Sequence, residues 1–176
     1  LLSRYAKIVD MKCIQRVNSD AHYAPSHLVL ALDNGDILIL EVQSFSVLHE
    51  AKTCSYETLP AMISVNGTFE TDFRMVIATR YGAVYLLRKS DREGQEIFKM
   101  STALTGLLLL PIDQTIVVCS MEKRLLCYSK KGKQLYVTNL EKLPVCMVPI
   151  TLSHLGLTLI CVALEGGMVQ FYMQRY

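Results

Sequence analysis

A surplus of charge of either sign is the first thing this sequence lacks. Its 18 Lys and Arg exceed its 16 Asp and Glu by only two. There is thus no global field of the kind that holds non-specific nucleic-acid binders to phosphate, and no nucleic-acid partner is expected. Long apolar runs are also missing. The longest, residues 107–112 and 157–164, fall far short of the roughly 18 to 20 residues that cross a bilayer, so any membrane association is expected to be peripheral. No basic region, apolar core and cleavage site follow one another after Leu1-Leu2, so no secretory signal is read. Either the start was removed or the chain is a piece of something longer.

Spacings that build reactive sites are absent too. Cys13, Cys54, Cys119, Cys127, Cys146 and Cys161 sit singly, with no CxxC or Cys/His pattern for zinc, and are read as reduced core thiols of a cytosolic protein. His22, His27, His49 and His154 are scattered and form no H-x-x-x-H or H-x-H pair. Asp33, Asp36, Asp72, Asp91, Glu93 and Glu96 fall in turns, without the isolated carboxylate pair of a glycosidase. No Gly-rich phosphate loop opens a helix, because no helix is predicted. Asn66-Gly67-Thr68 matches a glycosylation sequon but reads better as a tight hairpin turn. No catalytic residue, metal site or cofactor is expected, and the chain is not read as an enzyme.

What is present is a hairpin that recurs. Residues 74–87 (R-M-V-I-A-T-R-Y-G-A-V-Y-L-L) carry an apolar run, a turn at Tyr81-Gly82 and a second apolar run. Residues 27–40, 115–128 and 159–172 fit the same frame, which aligns Gly35, Gly82, Lys123 and Gly167 in one column and Ala31, Ala78, Cys119 and Ala163 in another. Spacings of 47, 41 and 44 residues between turn positions lie near the blade period of a β-propeller, and period-2 apolar patterning excludes helical solenoids. The predicted fold is all-β, with about four propeller blades of four antiparallel strands, at residues 6–51, 60–101, 104–140 and 144–176. Gly35, Gly82 and Gly167 are its structural turns. The last blade is one strand short. Either residues 2–9 supply that strand and close a four-bladed ring, or the chain is a segment of a larger ring, which is the favoured reading. Within the second blade Val76→Arg is expected to unfold that blade.

Propellers that bind quinone cofactors or glycans are usually rich in Trp, and this one has none. It also lacks the Trp-Asp dipeptide of standard WD40 repeats. Surface remains as the functional element. Arg80, Tyr81, Arg88, Lys89 and Arg92 form one basic and aromatic group, and Lys123, Arg124, Lys130, Lys131 and Lys133 another. Both are either solvated turns or a patch facing a partner or lipid; Arg80, Tyr81, Arg88, Lys89, Lys123 and Arg124 are the candidate partner-facing residues.

At residues 65–90, V-N-G-T-F-E-T-D-F-R-M-V-I-A-T-R-Y-G-A-V-Y-L-L-R-K-S, the sequence resembles the N-terminal β-propeller of the Bardet–Biedl syndrome 1 family of BBSome subunits. The likeness continues through A-L-D-N-G-D-I-L-I-L-E-V-Q-S-F-S-V-L upstream, and through C-Y-S-K-K-G-K-Q-L-Y-V and A-L-E-G-G-M-V-Q-F-Y downstream. The resemblance implies a non-catalytic scaffold in a coat-like complex that carries membrane proteins to and from cilia. It implies as partners other BBSome subunits, ciliary membrane-protein cargo and a GTP-bound Arf-like GTPase, and as location the cytoplasm, the ciliary base and the ciliary membrane. The family's propeller has seven blades, of which this chain supplies about four, and the GTPase contact is placed on blades this chain lacks. No GTPase-binding residue is therefore assigned. A propeller from another vesicle-coat or intraflagellar-transport protein, and a small-molecule-binding or enzymatic propeller, are the alternatives.

Overall fold

A computed structural model describes residues 6–16, 26–54 and 59–175. Over these the chain is a succession of antiparallel strands, with a single 3₁₀ turn at Ser153–Leu155. Strands β1 (Ile8–Ile14), β2 (His27–Leu32), β3 (Asp36–Leu40) and β4 (Val47–Lys52) make the first sheet in the order β1-β2-β3-β4. The second is β5 (Pro60–Gly67), β6 (Phe73–Thr79), β7 (Ala83–Arg88) and β8 (Gln95–Lys99), again in sequence order. The third is β9 (Leu104–Leu109), β10 (Ile116–Ser120), β11 (Arg124–Tyr128) and β12 (Gln134–Asn139). The fourth has three strands, β13 (Pro144–Leu152), β14 (Leu157–Leu164) and β15 (Met168–Arg175). Within each sheet strands pair with their neighbours in sequence, and apart from the twelve residues between β1 and β2 the joining turns are too short for the crossover that parallel pairing needs.

Residues 2–5 and His22 lie outside the described residues. Ile8 and Val9 do not complete the fourth sheet; they open β1, which pairs with β2. Pro60 and Pro144 each stand first in their strands, where a missing amide costs no ladder bond.

The chain divides into two compact units, Leu1–Lys99 and Met100–Tyr176. In the first, Val29, Ala31, Ile37 and Ile39 of one sheet share a buried cluster with Ile63, Phe73, Met75 and Ile77 of the other. In the second, Val117, Cys119 and Leu125 are clustered with Met147, Ile160 and Val162. Ala31 and Cys119, from one column of the repeat, thus face the neighbouring sheet at the same place in both units. A larger side chain there would hold the sheets apart. Ala78 is fully buried and Ala163 half-buried, each on the face of its sheet opposite these clusters. Gly106 is equally close-fitted, since an added Cβ would sit 3.3 Å from Met147 Cβ.

One polar clamp joins the two sheets of the first unit. A register shift between Ile8 and Asp10 frees Asp10, whose Oδ2 accepts the Ile63 amide of β5 at 2.8 Å, while Oδ1 accepts the Met11 amide at 2.8 Å. Hydrogen bonds to an ionised group contribute about 1.5–3 kcal/mol, and a stranded inner-strand amide costs a comparable amount. Asp10→Ala is therefore expected to lower stability by about 1.5–3 kcal/mol, read as a shifted urea midpoint at constant m, with Asp10→Asn losing less.

None of the six cysteines is in a disulfide, and they divide by environment. Cys119 and Cys127 are buried, whereas Cys13 and Cys146 are exposed, so core packing accounts for only part of the set. Burial pushes the Cys119 thiol up to about 12. Burial also raises Cys127, to about 11, partly opposed by a hydrogen bond from Tyr136 and assisted by Asp113. Above pH 9 an unfolded thiol ionises while the folded one stays protonated. The unfolded state then binds fewer protons, so stability falls as pH rises from 9 towards 11–12. Cys119 alone is expected to give a loss approaching about 1.4 kcal/mol per pH unit in that window, and Cys119→Ser should flatten the slope measured by denaturant titration.

Candidate interaction surface

Four hairpin tips close with the same hydrogen bond. Amides of Gly35, Gly82, Lys123 and Gly167 donate to the carbonyls of Leu32, Thr79, Ser120 and Leu164 at 3.0, 3.1, 3.1 and 3.2 Å. Each donor then takes a positive φ, of 88°, 82°, 57° and 84°. At the first three tips this is a turn followed by one left-handed residue, the arrangement that lets a short loop match the twist of its flanking strands; at the fourth Gly166 is left-handed as well, with φ of 83°. Lys123 is the one member of the column that bears a Cβ in that region. Lys123→Gly is expected to stabilise the chain by up to about 1 kcal/mol in thermal melts, the relief of left-handed strain exceeding glycine's entropy cost.

The residues expected to face a partner are distributed over several places. Arg80 and Tyr81 occupy the β6–β7 tip, with Tyr81 69% exposed. Arg88 lies at the other end of β7, paired across the ladder with Arg74. Six strand residues separate the two ends by about 20 Å, so Arg80, Tyr81, Arg88 and Lys89 are not one patch. Lys89 is turned inward. Its Nζ donates to the Glu70 carbonyl at 2.6 Å and lies 5.8 Å from the centre of the Phe69 ring. In the second unit Lys123 and Arg124 begin the β10–β11 return, with Arg124 ion-paired to Glu122, while Lys130, Lys131 and Lys133 occupy the turn at the far end of β11.

Phe69 is the residue that sequence reasoning missed. Its ring meets His27 edge-on at 4.8 Å and stacks on Phe73 at 6.2 Å, and its amide donates to the Gln15 carbonyl at 3.0 Å. Arg16 and Glu70 add an ion pair at 3.1 Å. The turn between β5 and β6 thereby fastens the end of β1 to the second sheet. Its only signal in the sequence was an aromatic residue inside an otherwise polar turn.

Among the described residues no group of three or more His, Cys, Asp or Glu could hold a metal ion. His27 packs on Phe69, His49 meets Phe73 edge-on, and His154 sits in the 3₁₀ turn. An open cleft of about 590 Å³ at the end of β4 is bordered by His49, Lys52 and Arg92. Interaction surface, rather than an enclosed site, is what these elements present.

The family model for ciliary BBSome complex subunit 1 matches residues 1–88, half of the chain. The chain belongs to the ciliary BBSome subunit 1 family. The mouse (Mus musculus) BBSome complex member BBS1 is 26% identical over 175 residues, covering 99% of this chain and 28% of that protein. The chain therefore spans little more than a quarter of its curated relatives' length. A crystal structure of BBS1N in complex with ARL6DN, soaked with lead, superposes with a TM-score of 0.81 at 22% identity, over 97% of this chain and 50% of that one. The WD40 β-propeller domain of Doa1 follows at a TM-score of 0.65 and 13% identity, over 96% of this chain and 51% of that one. The fold is that of β-propeller blades, and the chain corresponds to part of the family's N-terminal propeller.

Proposed function

We propose that this chain is a scaffold portion of a BBSome subunit, acting by presenting propeller surface to other proteins. The observation that carries this reading is the family match over residues 1–88, extended by likeness to mouse BBS1 over 99% of the chain. In the parent protein the propeller engages other BBSome subunits and is recruited to the ciliary membrane by a GTP-bound Arf-like GTPase, while the complex moves membrane-protein cargo to and from cilia. The complex with ARL6 recorded for BBS1N supports the GTPase step. That contact is assigned to blades beyond this chain, and membrane association is peripheral. Within the chain the exposed tips at Arg80, Tyr81 and Lys123 are candidate partner-facing positions.

The outward face of β13–β15 supports a segment of a larger, seven-bladed propeller. Val148, Val169, Phe171 and Met173 stand 47, 48, 60 and 55% exposed on it. A contiguous apolar sheet face of this kind is a packing surface, here for a further sheet of the same propeller.

Expression of the tagged, full-length parent protein in ciliated cells tests the reading. BBSome subunits should co-purify with it and it should enrich at the ciliary base. A parent protein that purifies free of every BBSome subunit sinks the proposal.

A further inference from the structure

The three outermost strands of the four-stranded sheets differ in one respect. β4 (V-L-H-E-A-K) and β8 (Q-E-I-F-K) carry charged residues within the strand, and the end of β4 is further covered where the Lys52 amide donates to the Arg92 carbonyl at 2.9 Å. β12 (Q-L-Y-V-T-N) has no charge and exposes three apolar residues in succession, Leu135, Tyr136 and Val137. Charges on an outer strand are the usual guard against pairing with another chain. β12 lacks them.

Its ladder is also open. β12 ends the order β12-β11-β10-β9. The Leu140 amide donates to the Lys123 carbonyl at 2.7 Å, and Val137 and Asn139 alternate with the residues that face β11. The N–H and C=O groups of Val137 and Asn139 therefore point away from the sheet. Beside this edge the turn before β12 holds Lys130, Lys131 and Lys133, all exposed and none ion-paired with a described residue. That turn is ordered by Gly132 N donating to Ser129 O at 2.8 Å and Lys133 N to Ser129 Oγ at 3.2 Å.

We infer that β12 is a docking edge for an extended acidic segment of another polypeptide, which adds as a fifth strand. Its backbone pairs with Val137 and Asn139, alternate apolar side chains lie beside Leu135, Tyr136 and Val137, and its carboxylates meet the lysine turn. Charge complementarity selects this occupant. A second copy paired antiparallel on this edge would offer the three lysines a single carboxylate, Glu141, with Lys142 beside it. The contact goes beyond the family reading, and its failure would leave the co-purification test above undisturbed.

The test uses the full-length parent protein and a fluorescein-labelled synthetic peptide of three glutamates followed by alternating valine and threonine. Saturable binding by fluorescence anisotropy is expected, with slowed hydrogen exchange at Val137 and Asn139. Charge reversal at Lys130, Lys131 and Lys133, and separately Val137→Pro, should each weaken binding at least about tenfold. Leu135→Thr with Val137→Thr keeps strand propensity and should also weaken it, which guards against misreading an unfolded proline variant. Replacing the glutamates by lysines should abolish binding. The inference is overturned if the acidic peptide does not bind, or if binding survives both the charge reversal and the threonine pair. It is equally overturned if sedimentation shows the parent protein dimerising through this strand, with the dimer lost in Val137→Pro.

Discussion

Val76→Arg is expected to abolish the cooperative thermal melt. Val76 lies in the middle of β6, fully buried, between Ser64 on β5 and Leu86 on β7, both themselves buried. The substitution forfeits about 1.5–3 kcal/mol of apolar burial. It also places an unpaired guanidinium in an apolar site, where the penalty after relaxation is still several kcal/mol, and forces extra volume into close packing at about 1–3 kcal/mol. Together these approach the whole stability of a typical domain, about 5–15 kcal/mol. Val76→Thr separates the contributions: it keeps the shape, introduces one buried hydroxyl, and should cost only about 1–3 kcal/mol with cooperativity intact. Circular dichroism melts of the two variants decide it. An arginine variant that melts cooperatively near the parent temperature would mean that β6 is not a central strand.

How much of this was legible in the sequence follows from the range of the interactions. The hairpins were legible because everything that makes them lies within a dozen residues: alternating apolar residues on each arm, and Asn34-Gly35, Tyr81-Gly82 or Gly166-Gly167 at the tip. Lys123 shows the repeat frame outrunning residue type, since its place in the glycine column carries the same left-handed backbone as Gly35 and Gly82. The Asp10 clamp was not legible, because its partner amide is 53 residues away and a lone aspartate in a strand announces nothing. Nor was the separation of Arg80 from Arg88. Eight positions in sequence look like one cluster, but a strand runs between them, and a strand moves its residues apart at about 3.3 Å each. Lys89 reads as a free surface cation until the fold brings the Glu70 carbonyl and the Phe69 ring beneath it.

The second large effect is expected at Gly67, in the stretch N-G-T-F-E-T-D-F-R. Gly67 closes β5 with φ of +104°, and a Cβ there would lie 2.3 Å from the Asp72 carbonyl oxygen and 2.9 Å from Phe73 Cα. Both obstacles are backbone, so no side-chain rotation relieves them. Gly67→Val combines a left-handed conformation that a β-branched residue adopts only under strain, at about 1–3 kcal/mol, with that overlap. A total loss of at least about 3 kcal/mol is expected. The damage should also be directed. Opening the 68–72 turn displaces Phe69 from His27 and Phe73, withdraws the Phe69 amide from Gln15, and removes the carbonyl that holds Lys89. The joint between the first two sheets should then exchange its amide hydrogens faster, at Phe69 above all, while β10 and β11 of the second unit remain protected. Phe69→Leu supplies the comparison: it leaves the Gly67 backbone untouched but removes the ring contacts, and should cost less while loosening the same joint. If Gly67→Val melts like the parent, the turn can re-form around a side chain, and its glycine is not what holds the two sheets together.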